Sequence, residues 1–203
     1  MQTNNMIFLR GRLAAAPAFS HNNHGVDYLV FPLSVRRLSG AEDRLNIVAS
    51  REQLSSLLPE AGSPLTVRGE VRTFNNRSGV GSRLVVSVFA RELSQEDGED
   101  ENHLEISGAL CKPPVLRTTP LGRTICDMIL AANRRYGRAD YLPCIAWGSL
   151  AYRCGSMQVG DRLALEGRLQ SRIYTKEVDG RTQERTAFEV SIMSLADEDT
   201  YAL

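Results

Sequence analysis

Two kinds of side chain in this sequence could hold a ligand without covalent chemistry, and they interleave: aromatic rings and guanidinium groups. The only tryptophan, Trp147, follows Tyr141 by six residues, and Tyr136 and Tyr174 lie in the same half of the chain. Arg134, Arg135, Arg138 and Arg172 fall within a few residues of these rings. An aromatic face stacks on any flat π system, a nucleobase included, while an Arg fork adds a cation–π contact or a bidentate grip on phosphate. If Tyr141 to Trp147 is extended, their even spacing puts both rings on one face. Core packing is the competing use of Trp and Tyr. Cys144 and Ile145 can serve the interior at either parity, so the core does not require the rings.

Catalytic constellations are absent from the sequence. There is no Gly-x-x-x-x-Gly-Lys phosphate loop and no His-Glu-x-x-His zinc motif. His21, His24 and His103 are the only histidines; the first two are expected in an exposed loop, without a second pair of metal ligands. Cys111, Cys126, Cys144 and Cys154 form no Cys-x-x-Cys pair and are read as reduced thiols. Neither an enzyme nor a bound cofactor or metal is expected.

Formal net charge is zero, yet the charges are unevenly placed. Residues 1–94 carry 11 Arg against 7 acids and residues 102–196 carry 13 Lys and Arg against 9, so each segment stands at +4. Glu96, Asp97, Glu99, Asp100 and Glu101 concentrate −5 between them, and Asp197, Glu198 and Asp199 add −3 near the end. Two mildly basic modules flanking an acidic connector are therefore expected. Of the 24 basic residues 22 are Arg, which suits planar stacking and forked phosphate contacts, although genomic codon bias gives the same count. No apolar run reaches the ~18 residues of a membrane span. Met1 to Asn5 are polar and uncharged, unlike an export signal, so a cytoplasmic location is expected.

The elements that must position the rings repeat. Asn5, Gly11, Leu13, Pro17, Gly25, Leu33 and Arg37 recur 97 residues later as Asn102, Gly108, Leu110, Pro114, Gly122, Leu130 and Arg134. With a one-residue slip, Gly62, Leu65, Val67, Gly69 and Val71 recur as Gly160, Leu163, Leu165, Gly167 and Leu169, and a longer last hairpin loop is expected in the second copy. Period-two alternation predicts strands over 6–13, 28–37, 44–50, 65–73 and 84–90, with a helix over 51–58. The second copy predicts strands over 103–110, 124–133, 141–146, 162–173 and 186–194, with a helix over 148–154. Five strands with one helix after the third is the order of an OB-fold, a partly open Greek-key barrel. The expected class is all-β: two tandem five-stranded barrels at 1–94 and 102–196, an acidic solvated linker at 95–101 and a short acidic tail at 197–203.

The run from Ala146 through Trp147, Gly148 and Leu150, then Gly160-Asp161-Arg162-Leu163 to Tyr174, and finally Thr186-Ala187-Phe188-Glu189-Val190, resembles bacterial single-stranded DNA-binding proteins. The likeness is close over 102–195 and fainter over 4–93. That resemblance implies four aromatic base-stacking positions, met here by Trp147, Tyr141, Tyr174 and Tyr136, with Arg134, Arg135 and Arg172 beside them on the phosphates. In the first copy Leu45 and Ser50 stand where Tyr141 and Trp147 do, and Phe74 is its only fourth-strand ring, accompanied by Arg72 and Arg37. That copy is expected to bind phosphate without stacking or to serve as a scaffold. The resemblance further implies single-stranded DNA as partner, bound with little sequence preference in replication, recombination or repair. It also implies contact with replication or repair proteins, no membrane partner, and a homodimer presenting four barrels. An interaction module similar to primosomal protein B, or an RNA-binding barrel, is the alternative. The family's long tail with an acidic tip is reduced here to Asp197 to Leu203.

Overall fold

The computed structural model describes residues 5–76, 82–134, 137–178 and 180–196. Twelve strands and two short helices follow in the order β1 (Asn5–Leu13), β2 (Ala18–Asn23), β3 (Val26–Arg36), β4 (Glu42–Ser50), α1 (Arg51–Leu57), β5 (Pro64–Asn75), β6 (Leu84–Ser94), β7 (Glu101–Leu110), β8 (Val115–Thr118), β9 (Thr124–Asn133), β10 (Ala139–Trp147), α2 (Ser149–Gly155), β11 (Arg162–Val178) and β12 (Arg181–Leu195). The fold is all-β, built from two OB-type barrels. Among the described residues no helix is long and apolar enough to cross a membrane.

In the first repeat the strands run β2-β3-β4-β6-β5-β1, and β1 also pairs with β3 through Arg12–Ser34 and Leu13–Leu33, closing the barrel. The second repeat follows β8-β9-β10-β12-β11-β7, closed where β7 meets β9 at Ala109–Ala131 and Leu110–Leu130. In each, one parallel contact, β4 with β6 and β10 with β12, marks the Greek-key return among otherwise antiparallel pairs.

Closure requires β1 to bend from one partner to the next, and the repeated glycine is placed for it. A Cβ on Gly11 would lie 2.2 Å from the Ser34 carbonyl oxygen, and one on Gly108 would lie 2.4 Å from that of Ala131. No side chain fits there, which accounts for the recurrence of this residue. Alternation then sends one face inward. Ile7, Leu9, Leu33, Leu45, Ile47, Val67 and Val88 fill the first barrel, and Leu104, Leu110, Leu130, Leu142, Ala146 and Val190 the second. Full burial of each such Leu, Ile or Val contributes roughly 1.5–3 kcal/mol.

Each barrel carries a sixth strand beyond the five expected. β2 hairpins onto β3 and β8 onto β9, both wholly exposed along their length. Exposure removes the alternation that would reveal them. The β2–β3 turn places His24 and Gly25 at φ 48° and 81°, the two positive values that a tight type I′ hairpin requires. His21, expected in a loop, is therefore a strand residue.

The backbone clusters into two compact units. One holds Leu104–Leu169 with the chain from Phe188; the other holds Met6–His103 together with Gln170–Ala187. The outer part of the β11–β12 hairpin thus groups with the first repeat, although the sequence segments it with the second. The connector also makes more contacts than a solvated linker would: Asp97 and Glu101 pair with Arg12 and Arg10, and the Asp100 carboxylate accepts from the Arg36 N–H at 2.6 Å.

Candidate nucleic-acid interface

Strand β10 sets two rings outward by alternation alone. Leu142, Cys144 and Ala146 point into the barrel, while Tyr141 is 51% and Trp147 38% exposed on the opposite face. Trp147 ends the strand opposite Ile125 of β9, and the chain turns at once through Gly148, at φ 58°, into α2. The sequence reading missed a third ring in this unit. Tyr152 of α2 is 60% exposed, and its hydroxyl lies 3.2 Å from that of Thr124, the neighbour of Ile125. Its only sequence signal is a helix position three residues after Ser149, which a helical reading treats as an ordinary surface site.

Tyr174 and Arg172 belong to the other unit, with Phe74, Arg72 and Arg37. Arg172 and Tyr174 share a face of β11, and the guanidinium carbon sits 5.7 Å from the ring centroid, a cation–π arrangement. Phe74, near the end of β5, is also exposed. Tyr136 and Arg135 lie outside the described residues, as does the acidic tail at 197–203. Tyr141 and Trp147 are thus brought together in one unit, and Tyr174 falls in the other.

The arginines divide into two groups. Arg37 forks onto Asp43, whose side chain is 1% exposed, through Nε at 2.7 Å and an Nη at 2.5 Å. Arg134 forks in the same way onto fully buried Asp140. These two guanidiniums, expected on phosphate, are held by carboxylates inside the fold at the same place in each repeat. Arg72 pairs with Glu70, which also takes a two-pronged contact from Arg91 at 3.1 and 3.2 Å. Arg172 remains exposed over its tyrosine.

The register also corrects the alignment of the two copies. Leu45 pairs with Leu33 as Leu142 pairs with Leu130, so Leu45 is the counterpart of the core residue Leu142. The outward counterpart of Tyr141 is Arg44.

Burial governs the thiols. It pushes Cys144 up to about 12 and Cys154 to about 11, and raises Cys126 as well. None of these three has the lowered pKa of a reactive cysteine. Among the described residues no group of His, Cys, Asp and Glu is assembled to hold a metal ion.

Residues 101–196, the segment that carries Tyr141, Trp147 and the closed second barrel, match the single-strand binding protein family. That match spans 96 of the 203 residues and is confined to the second repeat. Single-stranded DNA-binding protein 2 of Listeria innocua is 31% identical over 87 residues, 39% of this chain and 54% of that protein. Single-stranded DNA-binding protein A of Bacillus subtilis is 31% identical over 83 residues, 37% and 48% respectively. The chain thus spans about half the length of these curated relatives. The single-stranded DNA-binding protein of Thermus aquaticus matches both repeats, with a TM-score of 0.75 and 25% identity over 95% of this chain and 91% of that one. Both repeats are therefore covered by a single chain of that solved protein.

Proposed function

We propose that this protein binds single-stranded DNA, with little sequence preference, by stacking bases on exposed rings and contacting the backbone through Arg. The observation that supports this most is the pair Tyr141 and Trp147, set outward on one strand of a segment that matches the single-strand binding protein family. Stacking is tolerant of sequence because every base has a π-face, and it contributes ~1–3 kcal/mol per base. Tyr152 extends this surface, Tyr174 with Arg172 forms a second platform, and Phe74 a lesser one. Arg37 and Arg134 act in this reading by shaping the strand ends rather than by contacting phosphate. Replication, recombination or repair is the process such binding serves, in the cytoplasm and through a homodimer that presents four barrels.

Titrating dye-labelled oligo-dT, oligo-U and a duplex of equal length tests this reading. Tight binding of oligo-dT, weaker duplex binding and quenching of Trp147 emission are expected. Preference for the duplex, or binding with Trp147 emission unchanged, would overturn it.

A further inference from the structure

The acidic connector between β6 and β7 lies where the first repeat gathers its cations. Gly98, Glu99 and Asp100 line a cleft of about 650 Å³ together with Arg12, Arg36 and Arg44. Arg37 lines it too, but its fork is closed on Asp43. Beside the cleft, Arg10 lies 5.3 Å from the centroid of the Phe8 ring, and Arg68 stands 4.7 Å from the same centroid. The basic surface therefore continues along β1 and β5.

The connector holds these cations incompletely. An Nη of Arg12 donates to the Asp97 carboxylate at 3.3 Å, with both side chains more than half exposed. The Glu101 carboxylate and the Glu99 carbonyl both meet Arg10 at the same nitrogen, Nη1, each at 3.5 Å. Nε of that guanidinium is buried without a partner, and so is the hydroxyl of Thr66, the residue directly opposite Arg10 across β1 and β5. These are two of the three such buried side-chain atoms among the described residues. Gly98 accounts for the burial. A Cβ there would come within 3.1 Å of the Arg10 side chain, so glycine lets the backbone lie close over it. A buried donor left unbonded costs free energy, and exposed ion pairs return little of it. One contact is firm: the Asp100 carboxylate accepts from the Arg36 N–H at 2.6 Å. The connector is thus pinned near β7 and laid loosely over Arg10 and Arg12.

We infer that the connector is a carboxylate strap over a phosphate site of the first repeat, displaced from Arg10 and Arg12 by the backbone of a bound single strand. The inference rests on the function proposed above, and it concerns phosphates and no stacked base. A phosphate offers oxygens to Nε and an Nη together, the forked contact that the strap leaves unmade at Arg10. The strap competes because it is tethered at both ends, which keeps its carboxylates at a high effective concentration. Each displaced carboxylate takes up cations while the phosphate sheds them, so the strap also masks part of the salt dependence of binding.

The test removes the charge of the strap and keeps its length. Asp97→Asn with Glu101→Gln should raise the affinity of the full chain for oligo-dT roughly 2- to 30-fold, and steepen the salt slope by at most about 0.7 per phosphate. Glu52→Gln removes one charge at an exposed helix position and should change affinity less than about twofold. In an Arg10→Gln, Arg12→Gln background the connector substitutions should bring no gain. A gain that persists without the two arginines is a long-range charge effect and would overturn the inference, as would no gain at all. Inorganic tripolyphosphate supplies phosphates without bases. By isothermal titration it should bind the connector variant more tightly than the parent, and equal binding would overturn the strap. Failure of the parent protein to bind oligo-dT would overturn the proposed function, and the tripolyphosphate titration would still decide whether the strap covers a phosphate site.

Discussion

The N–H of Ser171 donates to Oδ1 of Asp43 at 2.7 Å, joining residues 128 positions apart in the chain. The same carboxylate holds Arg37, whose Nη donates onward to the Ser171 carbonyl at 3.2 Å, and the Ser171 hydroxyl accepts from the Arg44 N–H at 3.1 Å. Asp43 is thus the centre of a closed set of bonds that seats β11 against the end of β4. Removing a buried partner leaves the remaining charge uncompensated, at a cost of about 3–5 kcal/mol. Asp43→Ala should fall at the lower end, since Arg37 retains some solvent contact. Ser171→Ala keeps the N–H bond and should cost only about 0.5–1.5 kcal/mol. Urea unfolding of both variants checks this, and a smaller loss for Asp43→Ala than for Ser171→Ala would refute it.

The two groups of arginines should separate in a salt titration. Neutralising one phosphate of a single strand contributes about 0.7 to the slope of log affinity against log salt. Arg172→Ala, at an exposed guanidinium over Tyr174, should lower the slope by about that amount. Arg37→Ala and Arg134→Ala should instead lower the unfolding midpoint and leave the slope unchanged, because both forks are closed on buried carboxylates. Equal slopes for Arg172→Ala and the parent protein would remove Arg172 from the interface.

Much of the fold was legible because alternation survives wherever one face is buried. The start of the first helix, the repeat and the shared face of Tyr141 and Trp147 all follow from spacing. Two things escaped. β2 is exposed along its whole length, so no inward residue betrays it, and His21 was assigned to a loop. The partners Asp43 and Asp140 were also invisible, because a buried carboxylate looks in sequence like any surface acid until its strand is placed. Setting Leu45 opposite Tyr141 is off by one residue from the observed register, and in a strand one residue exchanges the two faces.

The thiols yield a prediction on pH. A group protonated in the fold and ionised in the unfolded chain makes unfolding release a proton, so stability falls as pH rises between the two pKa values. For Cys144 that window runs from the ordinary 9.0 to about 12, and for Cys154 from 9.0 to about 11. The unfolding midpoint should therefore decline above pH 9, and replacement of Cys144 by Ala should flatten the decline. In the native protein at pH 8, a thiol reagent should modify half-buried Cys111 first, and the other three at the rate of unfolding. Rapid modification of all four in native buffer would contradict this burial.

The platform on β10 makes the sharpest claim on affinity. Trp147 is the only tryptophan, so quenching by oligo-dT reports a single place, and Tyr141 shares its face. Removal of one stacked ring costs ~1–3 kcal/mol, roughly 5- to 150-fold in affinity. Trp147→Ala and Tyr141→Ala should each fall in that range, and the double variant should lose about the product of the two, because six residues of extended strand put the rings about 20 Å apart, too far for one base to bridge. Tyr152→Phe removes the hydroxyl contact with Thr124 and keeps the ring, so binding should stay within about twofold, whereas Tyr152→Ala should weaken it if α2 contributes a stacking face. Phe74→Ala should cost less than Tyr174→Ala, because Tyr174 is backed by Arg172. Isothermal titration of the seven variants ranks these effects at one salt concentration, and a Phe74→Ala loss exceeding that of both Trp147→Ala and Tyr174→Ala would move the principal surface to β5.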